Sequence, residues 1–340
     1  MEAVLMKAAG GPEVLEPGVL PKPEIQAPTE VRVRLMAMGI NPLDTKLRQR
    51  GTFSGQLPAV LGCDGAGVVE AVGSEVSMVR PGDEVFFFHG GLGMAQGNYA
   101  EYAVLDQRFL AHKPKNVGWA EAGAAPLVCI TAWEALYEIG QLSHGQRVLI
   151  HGGAGGVGHV AVQLAALRGA RVCATVRRPE QVNFVHGLGA ERVIVTEQED
   201  FVAAVRSWSQ GERVALALDT QGGEVFARTV ESLAYYGTLV TLLDVPLDAA
   251  VWKEARVRNL KIGFELMLTP QLRGLAAQQE RQTRILRDCA RLMESGVLKL
   301  RVGARLPLRE AAEAHRRLES GGLLGKVVLH TRALDGEAGA

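Results

Sequence analysis

The stretch from Arg147 to Ala165 constrains the fold more than any other part of this chain. A short apolar run, Arg147-Val-Leu-Ile-His151, passes directly into Gly152-Gly-Ala-Gly-Gly-Val-Gly158. The turn holds GxGxxG at Gly153, Gly155 and Gly158, and Val157, Val160, Ala161, Leu164 and Ala165 then recur at helical spacing. Forty glycines among 340 residues produce isolated matches by chance, so the strand before and the helix after carry the weight. In that setting the glycines provide a tight turn, bare backbone for a pyrophosphate, and close helix–strand packing. The free N–H groups and the positive helix end favour an anion. Gly153, Ala154, Gly155, Gly156, Val157 and Gly158 are therefore the expected dinucleotide-binding residues. A purely structural strand–helix turn is the alternative.

A dinucleotide site needs a ribose reader at the end of the following strand, ~20 residues on. Arg177 and Arg178 stand there, after the run Arg171–Val176, and the first carboxylate beyond them is Glu180. A carboxylate would bind the paired hydroxyls of NAD, whereas guanidinium groups suit a 2′-phosphate. The expected cofactor is NADPH. A solvated pair of surface arginines is the competing reading.

Two textures divide the chain. Up to Pro126, short period-2 runs broken by Gly and Pro, such as Val31–Leu35, Gly67–Val72, Asp83–Phe88 and Tyr99–Val104, suggest a small, partly open β-barrel. From 127 to 264, the runs Arg147–His151, Arg171–Val176, Val193–Val195, Val214–Asp219 and Gly237–Leu243 alternate with helical segments. That alternation predicts an α/β fold with a doubly wound, Rossmann-type parallel sheet. From 265 to 340, helices over Glu280–Glu294 and Leu308–Glu319 precede a last strand, Lys326–His330, expected to return to the first domain, and a loose tail.

Composition narrows the class further. Basic and acidic side chains number 37 each, which argues against a broad electrostatic grip on nucleic acid or an anionic membrane. Cys63, Cys129, Cys173 and Cys289 form no CxxC pair, so neither a zinc ribbon nor a disulfide scaffold is expected. Met1 to Lys7 has neither a basic nor a long apolar signal region, and no run of ~18 apolar residues occurs. A cytoplasmic protein is the expectation.

The order of motifs resembles the medium-chain dehydrogenase/reductase superfamily along essentially the whole chain. The resemblance rests on Gly39-Ile-Asn-Pro-Leu-Asp44, Gly62-Cys-Asp-Gly-Ala-Gly-Val-Val69, Arg80-Pro-Gly-Asp-Glu-Val85, Thr131-Ala-Trp-Glu-Ala-Leu136, the glycine turn and Gly325-Lys-Val-Val-Leu329. Asn-Pro-Leu-Asp and Ala-Gly-Gly-Val-Gly look like its zinc-independent quinone oxidoreductase, or zeta-crystallin-like, branch. The resemblance implies a GroES-like barrel domain beside the Rossmann domain. It also implies a homodimer joined near Tyr236–Leu243, Val245 and Val251-Trp252, where an unpaired apolar edge would otherwise invite aggregation.

Zinc separates the branches. In the zinc alcohol dehydrogenases of the superfamily, ligands come from Cys-Gly-x-Asp, Gly-His-Glu and a later Cys; the matching positions here hold Asn41, then Cys63 and Asp64, then Leu127. A catalytic zinc needs three N, S or O ligands and an open position, so no metal is expected. Cys63 and Cys129 read as buried small hydrophobes. The four-cysteine lobe of those relatives, which would fall near Phe88–Gly97, is replaced by a Gly-rich segment.

Without a metal to stabilise an alkoxide, reduction of an activated acceptor such as a quinone remains open. By resemblance, Asn41 donates a hydrogen bond to substrate or cofactor, Asp44 orients its loop, and Thr131 touches nicotinamide or its ribose. Lys326 joins the cofactor-binding set on the same ground. Asn41-Pro42 and Asp44 as a plain turn is the bland alternative. Two departures stand out: Phe53 replaces a tyrosine common in relatives, and Thr196 replaces another over the adenine ribose phosphate. Tyr99 and Tyr102 read as barrel packing. The expectation is an NADPH-dependent, zinc-independent enzyme that passes hydride to a quinone. An enal, enone or enoyl-thioester reductase of the same fold, or an NADPH-binding protein with a structural or regulatory role, remain the alternatives.

Overall fold

The computed structural model describes residues 1–245 and 249–331, so the expected loose tail lies outside the described residues. The chain forms two compact units: Met1–Leu127 together with the chain from Leu268, and Val128–Met267.

The first unit begins with β1 (Glu2–Met6), β2 (Leu15–Val19), β3 (Glu30–Ile40) and α1 (Pro42–Arg50). Next come β4 (Asp64–Val72), β5 (Glu84–Phe88), β6 (Tyr102–Asp106), β7 (Ala111–His112) and α2 (Trp119–Ala124). Helix α3 (Pro126–Trp133) leads into the second unit and continues as a π-helical turn, Glu134–Ile139. That unit holds β8 (Arg147–Ile150), α4 (Gly156–Leu167), β9 (Arg171–Val176), α5 (Val182–Gly187) and β10 (Arg192–Val195). It continues with α6 (Phe201–Trp208), β11 (Val214–Asp219), α7 (Gly223–Ser232), β12 (Leu233–Thr241), α8 (Ala249–Val257) and β13 (Lys261–Phe264). The chain then returns to the first unit with α9 (Thr269–Leu272), α10 (Ala276–Glu294), β14 (Val302–Pro307), α11 (Ala311–Ser320) and β15 (Lys326–His330).

Strand β3 organises the first unit. Arg32 and Arg34 alternate with buried Val31, Val33 and Leu35, and from Met36 to Ile40 every residue is buried. The change marks where one solvated face becomes covered. Glu30–Arg34 pairs with β6 and Ala37–Ile40 with β15, so one long strand serves two neighbours along the same edge while β4 takes the other. The sheet runs β14-β15-β3-β4-β5-β7, antiparallel except for the parallel pair β14–β15. Helix α2 lies close on β3: a Cβ at Gly123 would stand 2.8 Å from the Ala37 carbonyl carbon, and one at Gly39 2.6 Å from Gly123 O. This is the GroES-like domain.

The second unit is a six-stranded, fully parallel sheet in the order β10-β9-β8-β11-β12-β13. Numbered within the unit this is 3-2-1-4-5-6, the Rossmann order, whose direction reverses between β8 and β11. Its core includes Leu149, Cys173, Ile194, Ala217, Phe226 and Leu239.

The edge of this sheet differs from the sequence expectation. Tyr236–Leu243 falls mostly in β12, which is interior, between β11 and β13. Val245 and Val251 pack against the unit's own core. The edge is β13, whose four residues Lys261-Ile-Gly-Phe264 carry too little apolar pattern to read as a strand. Among the described residues no helix is long and apolar enough to cross a membrane.

Candidate functional site

In the second unit the glycine turn leaves the C-terminal end of β8, at the point where the strand order reverses. The left-handed residue is Gly152, with φ of +66°, which stands just before the GxGxxG pattern. A Cβ at Gly153 would lie 2.9 Å from the Ala174 Cβ of β9, and one at Gly158 2.0 Å from Gly152 O. These two glycines therefore let helix, strand and turn close on one another. At Gly155, the residue before α4, a Cβ would meet only Gly152 O at 3.3 Å. Bare backbone and the orphan N–H groups of the first helical turn sit together there.

Behind the turn, the buried His151 ring ties three elements. Thr229 Oγ1 gives its hydrogen to Val225 O at 2.6 Å, so at 2.8 Å it accepts from His151 Nε2. Nδ1 then accepts from Thr175 Oγ1 at 3.1 Å, and Thr175 Oγ1 accepts from Gly152 N at 3.2 Å. Burial holds this ring neutral, with a pKa pushed down to about 4.

Arg177 and Arg178 follow β9, their backbone N–H groups both held by Gln181 Oε1 at 3.1 Å. The two side chains differ. Arg177 Nε donates to Glu197 Oε1 at 2.9 Å, whereas Arg178 has no ion pair among the described residues. The Thr131 side chain, on α3, is buried and its Oγ1 makes no hydrogen bond.

In the first unit, Asn41, Asp44, Asp64 and Lys326 meet in one buried cluster. Asn41 caps α1, with Asp44 Oδ2 accepting its backbone N–H at 2.8 Å. The Asn41 side chain donates from Nδ2 to Asp64 Oδ2 at 2.9 Å. Asp64 Oδ1 accepts from Leu127 N at 2.8 Å. Pairing of Val327 with Ile40 delivers Lys326 to the same place: its ammonium donates to Asn41 Oδ1 and lies 3.2 Å from Asp64 Oδ2. Burial lifts the Asp44 carboxyl from 3.8 to about 7. It also raises Asp64, against the pull of Lys326, Asn41 and Leu127. The Cys63 thiol is pushed well up by the same burial. Tyr99 packs its ring under Gly62, where a Cβ would come within 2.4 Å, and its hydroxyl meets His315 Nε2 at 3.0 Å.

The expected site residues thus fall into two groups: Asn41, Asp44 and Lys326 in the first unit, and the glycine turn with Arg177, Arg178 and Thr131 in the second. Asn41-Pro42 opens a helix and is not a plain turn. Sequence reasoning missed Asp64 as a partner of Asn41, the left-handed Gly152, and the polar role of Tyr99. Asp64 was visible only as a ligand position of zinc relatives; nothing local signals its contact with residue 326.

Comparisons with known proteins agree with this architecture. A model of the alcohol dehydrogenase GroES-like domain matches residues 27–115, and a model of zinc-binding dehydrogenases matches residues 188–329. A quinone oxidoreductase of Pseudomonas aeruginosa is 32% identical over 95% of this chain and 97% of its own. The crystal structure of an alcohol dehydrogenase superfamily protein from Novosphingobium aromaticivorans is 34% identical, with a TM-score of 0.89 over 97% of this chain and 99% of that one. The Escherichia coli quinone oxidoreductase, complexed with NADPH, is 27% identical, with a TM-score of 0.86 over 97% and 100%.

The name of the second model raises the question of zinc. At the positions matching zinc ligands stand an amide, a thiol pushed away from its thiolate, a carboxylate already bound by an ammonium and two N–H groups, and the backbone of Leu127. Zinc needs anionic or imidazole donors around an open position. These residues do not fit it, and among the described residues no group of three His, Cys, Asp or Glu is placed to hold a metal.

Proposed function

The chain belongs to the medium-chain dehydrogenase/reductase superfamily, and on that premise we propose that it carries hydride from NADPH to a quinone without zinc. One observation carries the reading. The buried Asn41–Asp64–Lys326 cluster offers a hydrogen-bond donor and a fixed positive charge in place of a metal donor set. Donors of this kind suit an acceptor that is already activated, where they need only stabilise a developing oxyanion. An unactivated alcohol would need a Lewis acid.

The residues fit the cofactor. Gly153 to Gly158 would receive the pyrophosphate on bare backbone and a helix end. Arg178 would meet the 2′-phosphate, since Arg177 is engaged by Glu197. Thr131 Oγ1, buried and unbonded, is a candidate contact for nicotinamide or its ribose. NADPH, when bound, supplies the hydride; Asn41 offers its amide N–H to the acceptor oxygen, and Asp44 holds Asn41 through its backbone. Hydride addition leaves a hydroquinone monoanion, and the single proton that completes the hydroquinone comes from solvent. Four buried free cysteines accord with a reducing, cytoplasmic setting, and the bare edge β13 accords with a homodimer.

A screen of quinones, enals and an enoyl thioester against NADPH loss tests the reading, with a chelator arm and metal analysis. Quinone turnover that survives chelation, in protein holding no stoichiometric zinc, is expected. Turnover confined to enals or thioesters would move the activity to alkene reduction. Binding of NADPH with no turnover at all would make the chain a binding protein, and one zinc per chain would end the metal-free reading.

A further inference from the structure

Lys326 is a buried ammonium whose hydrogen bonds, among the described residues, go to Asn41 and Asp64 in the first unit. We propose that Lys326 is a positioning residue for acceptor reduction: anchored by Asp64, it fixes and polarises the Asn41 amide, so that the remaining Asn41 N–H becomes the donor to the acceptor oxygen. The inference rests on the reading that Asn41 meets the acceptor.

An asparagine amide can turn over, exchanging its oxygen and nitrogen. An ammonium donates only and an ionised carboxylate accepts only. Lys326 therefore requires Oδ1 on its side, and Asp64 Oδ2 requires Nδ2 on the other, at 2.9 Å. With both contacts made, the amide has one orientation. Nδ2 carries two hydrogens; one goes to Asp64, and no group among the described residues takes the second.

Polarisation follows from the same contacts. A cation on the carbonyl oxygen withdraws electron density from the amide nitrogen and strengthens its N–H as a donor, as in any cooperative hydrogen-bond chain. Burial keeps water from screening that effect. Asp64 in turn holds the ammonium at 3.2 Å, and the Leu127 N–H holds Asp64. The charge on β15 is thus held by three groups, directly or through Asp64, drawn from β4, the residue that caps α1 and the start of α3. This role differs from the cofactor contact that the sequence resemblance implies for Lys326, since the ammonium is already engaged by Asn41 and Asp64.

The test uses three variants of the full chain, NADPH titration, and turnover with 1,4-benzoquinone and its methylated homologues. Lys326→Met alone would leave the Asp64 charge buried and unpaired, so it is combined with Asp64→Asn, and thermal melting confirms that the pair folds. The double variant should lose ~10–100-fold in kcat, the scale of a weakened oxyanion donor, with NADPH affinity unchanged. The loss should grow along the quinone series as the product oxygen becomes more basic. Lys326→Arg should recover part of the rate, because it restores the charge. Weakened NADPH binding with kcat retained would overturn the proposal and return Lys326 to the cofactor. A loss uniform across all quinones would also overturn it, leaving Lys326 a structural ion pair. Asn41→Ala serves as the separate check: full turnover in that variant would remove the reading beneath the proposal, while a slow Asn41→Ala beside a fast double variant would remove the proposal alone.

Discussion

Arg48 Nη1 lies 3.3 Å from His315 Nδ1, and this contact settles the state of a buried imidazole. A guanidinium only donates, so Nδ1 accepts and the ring hydrogen sits on Nε2, facing the Tyr99 hydroxyl. Burial first, and Arg48 second, hold His315 down to about 3. Arg48 is fixed on its other side by Glu319 at 2.7 Å, which joins α1 to α11.

Acid should therefore destabilise the protein early. Burial also holds His89 and His151 down to about 4. A histidine whose folded pKa lies below its unfolded value of ~6.5 contributes its full stability above that pH and loses it as pH falls toward the folded value. Urea unfolding should show stability falling between pH 6.5 and 4. His89, stacked on Phe109 with Nδ1 unbonded, gives the clean control. His89→Phe should change stability at pH 7 by less than about 1 kcal/mol and flatten the acid limb; an unchanged limb would refute the assignment.

Asp44 acts with the opposite sign. Its folded pKa is raised from 3.8 to about 7, so its contribution is complete below pH ~4 and is lost as pH rises through 7. Asp44→Asn mimics the protonated acid and keeps an acceptor for Asn41 N. The variant should gain on the native chain by about 1–4 kcal/mol as pH goes from 4 to 8, read by denaturant titration. A constant difference across that range would show that Asp44 titrates normally.

Cofactor choice should depend unequally on the two arginines. A charge-assisted contact to phosphate is worth roughly 1.5–3 kcal/mol, about 10–100-fold in affinity. Arg178→Ala should weaken NADPH by that factor and leave NADH unchanged in a fluorescence titration. Arg177→Ala should do less, because that side chain is already paired with Glu197. Equal losses for both cofactors would mark the pair as solvated surface.

The expected homodimer now has a specific edge. Strand β13 has one neighbour, β12, and its terminal Phe264 is 62% exposed. Trp252 on α8 is half-exposed nearby in sequence. Phe264→Asp should shift light-scattering mass from two chains toward one at micromolar concentration. A native chain that already runs as a monomer would count against pairing through this strand.

Legibility followed locality. Strands β8, β9, β10 and β11 were readable because buried parallel strands are plain apolar runs, and the glycine turn because its parts are adjacent in sequence. Strand β13 was not, since Lys261-Ile-Gly-Phe264 is short and mixed. The interior place of β12 follows from β13 and was lost with it. The site in the first unit was legible only as single residues. Asn41 and Asp44 stood out, but their meeting with Lys326 depends on pairing across 285 residues, which no periodicity records. Tyr99 read as packing because its ring does pack; its hydroxyl partner arrives on α11.

The position of β15 sets an order of events during synthesis. It lies between β14 and β3, with Val327 opposite Ile40, so the sheet that β3 begins cannot close until β15 has emerged. The Rossmann unit is continuous from Val128 to Met267 and can complete itself meanwhile. At ~5–20 residues per second, the wait after the N-terminal segment is made is on the order of 10–40 s. Throughout it Asp64 lacks the ammonium that matches it, and the Ala37–Ile40 flank of β3 lacks the strand that pairs with it.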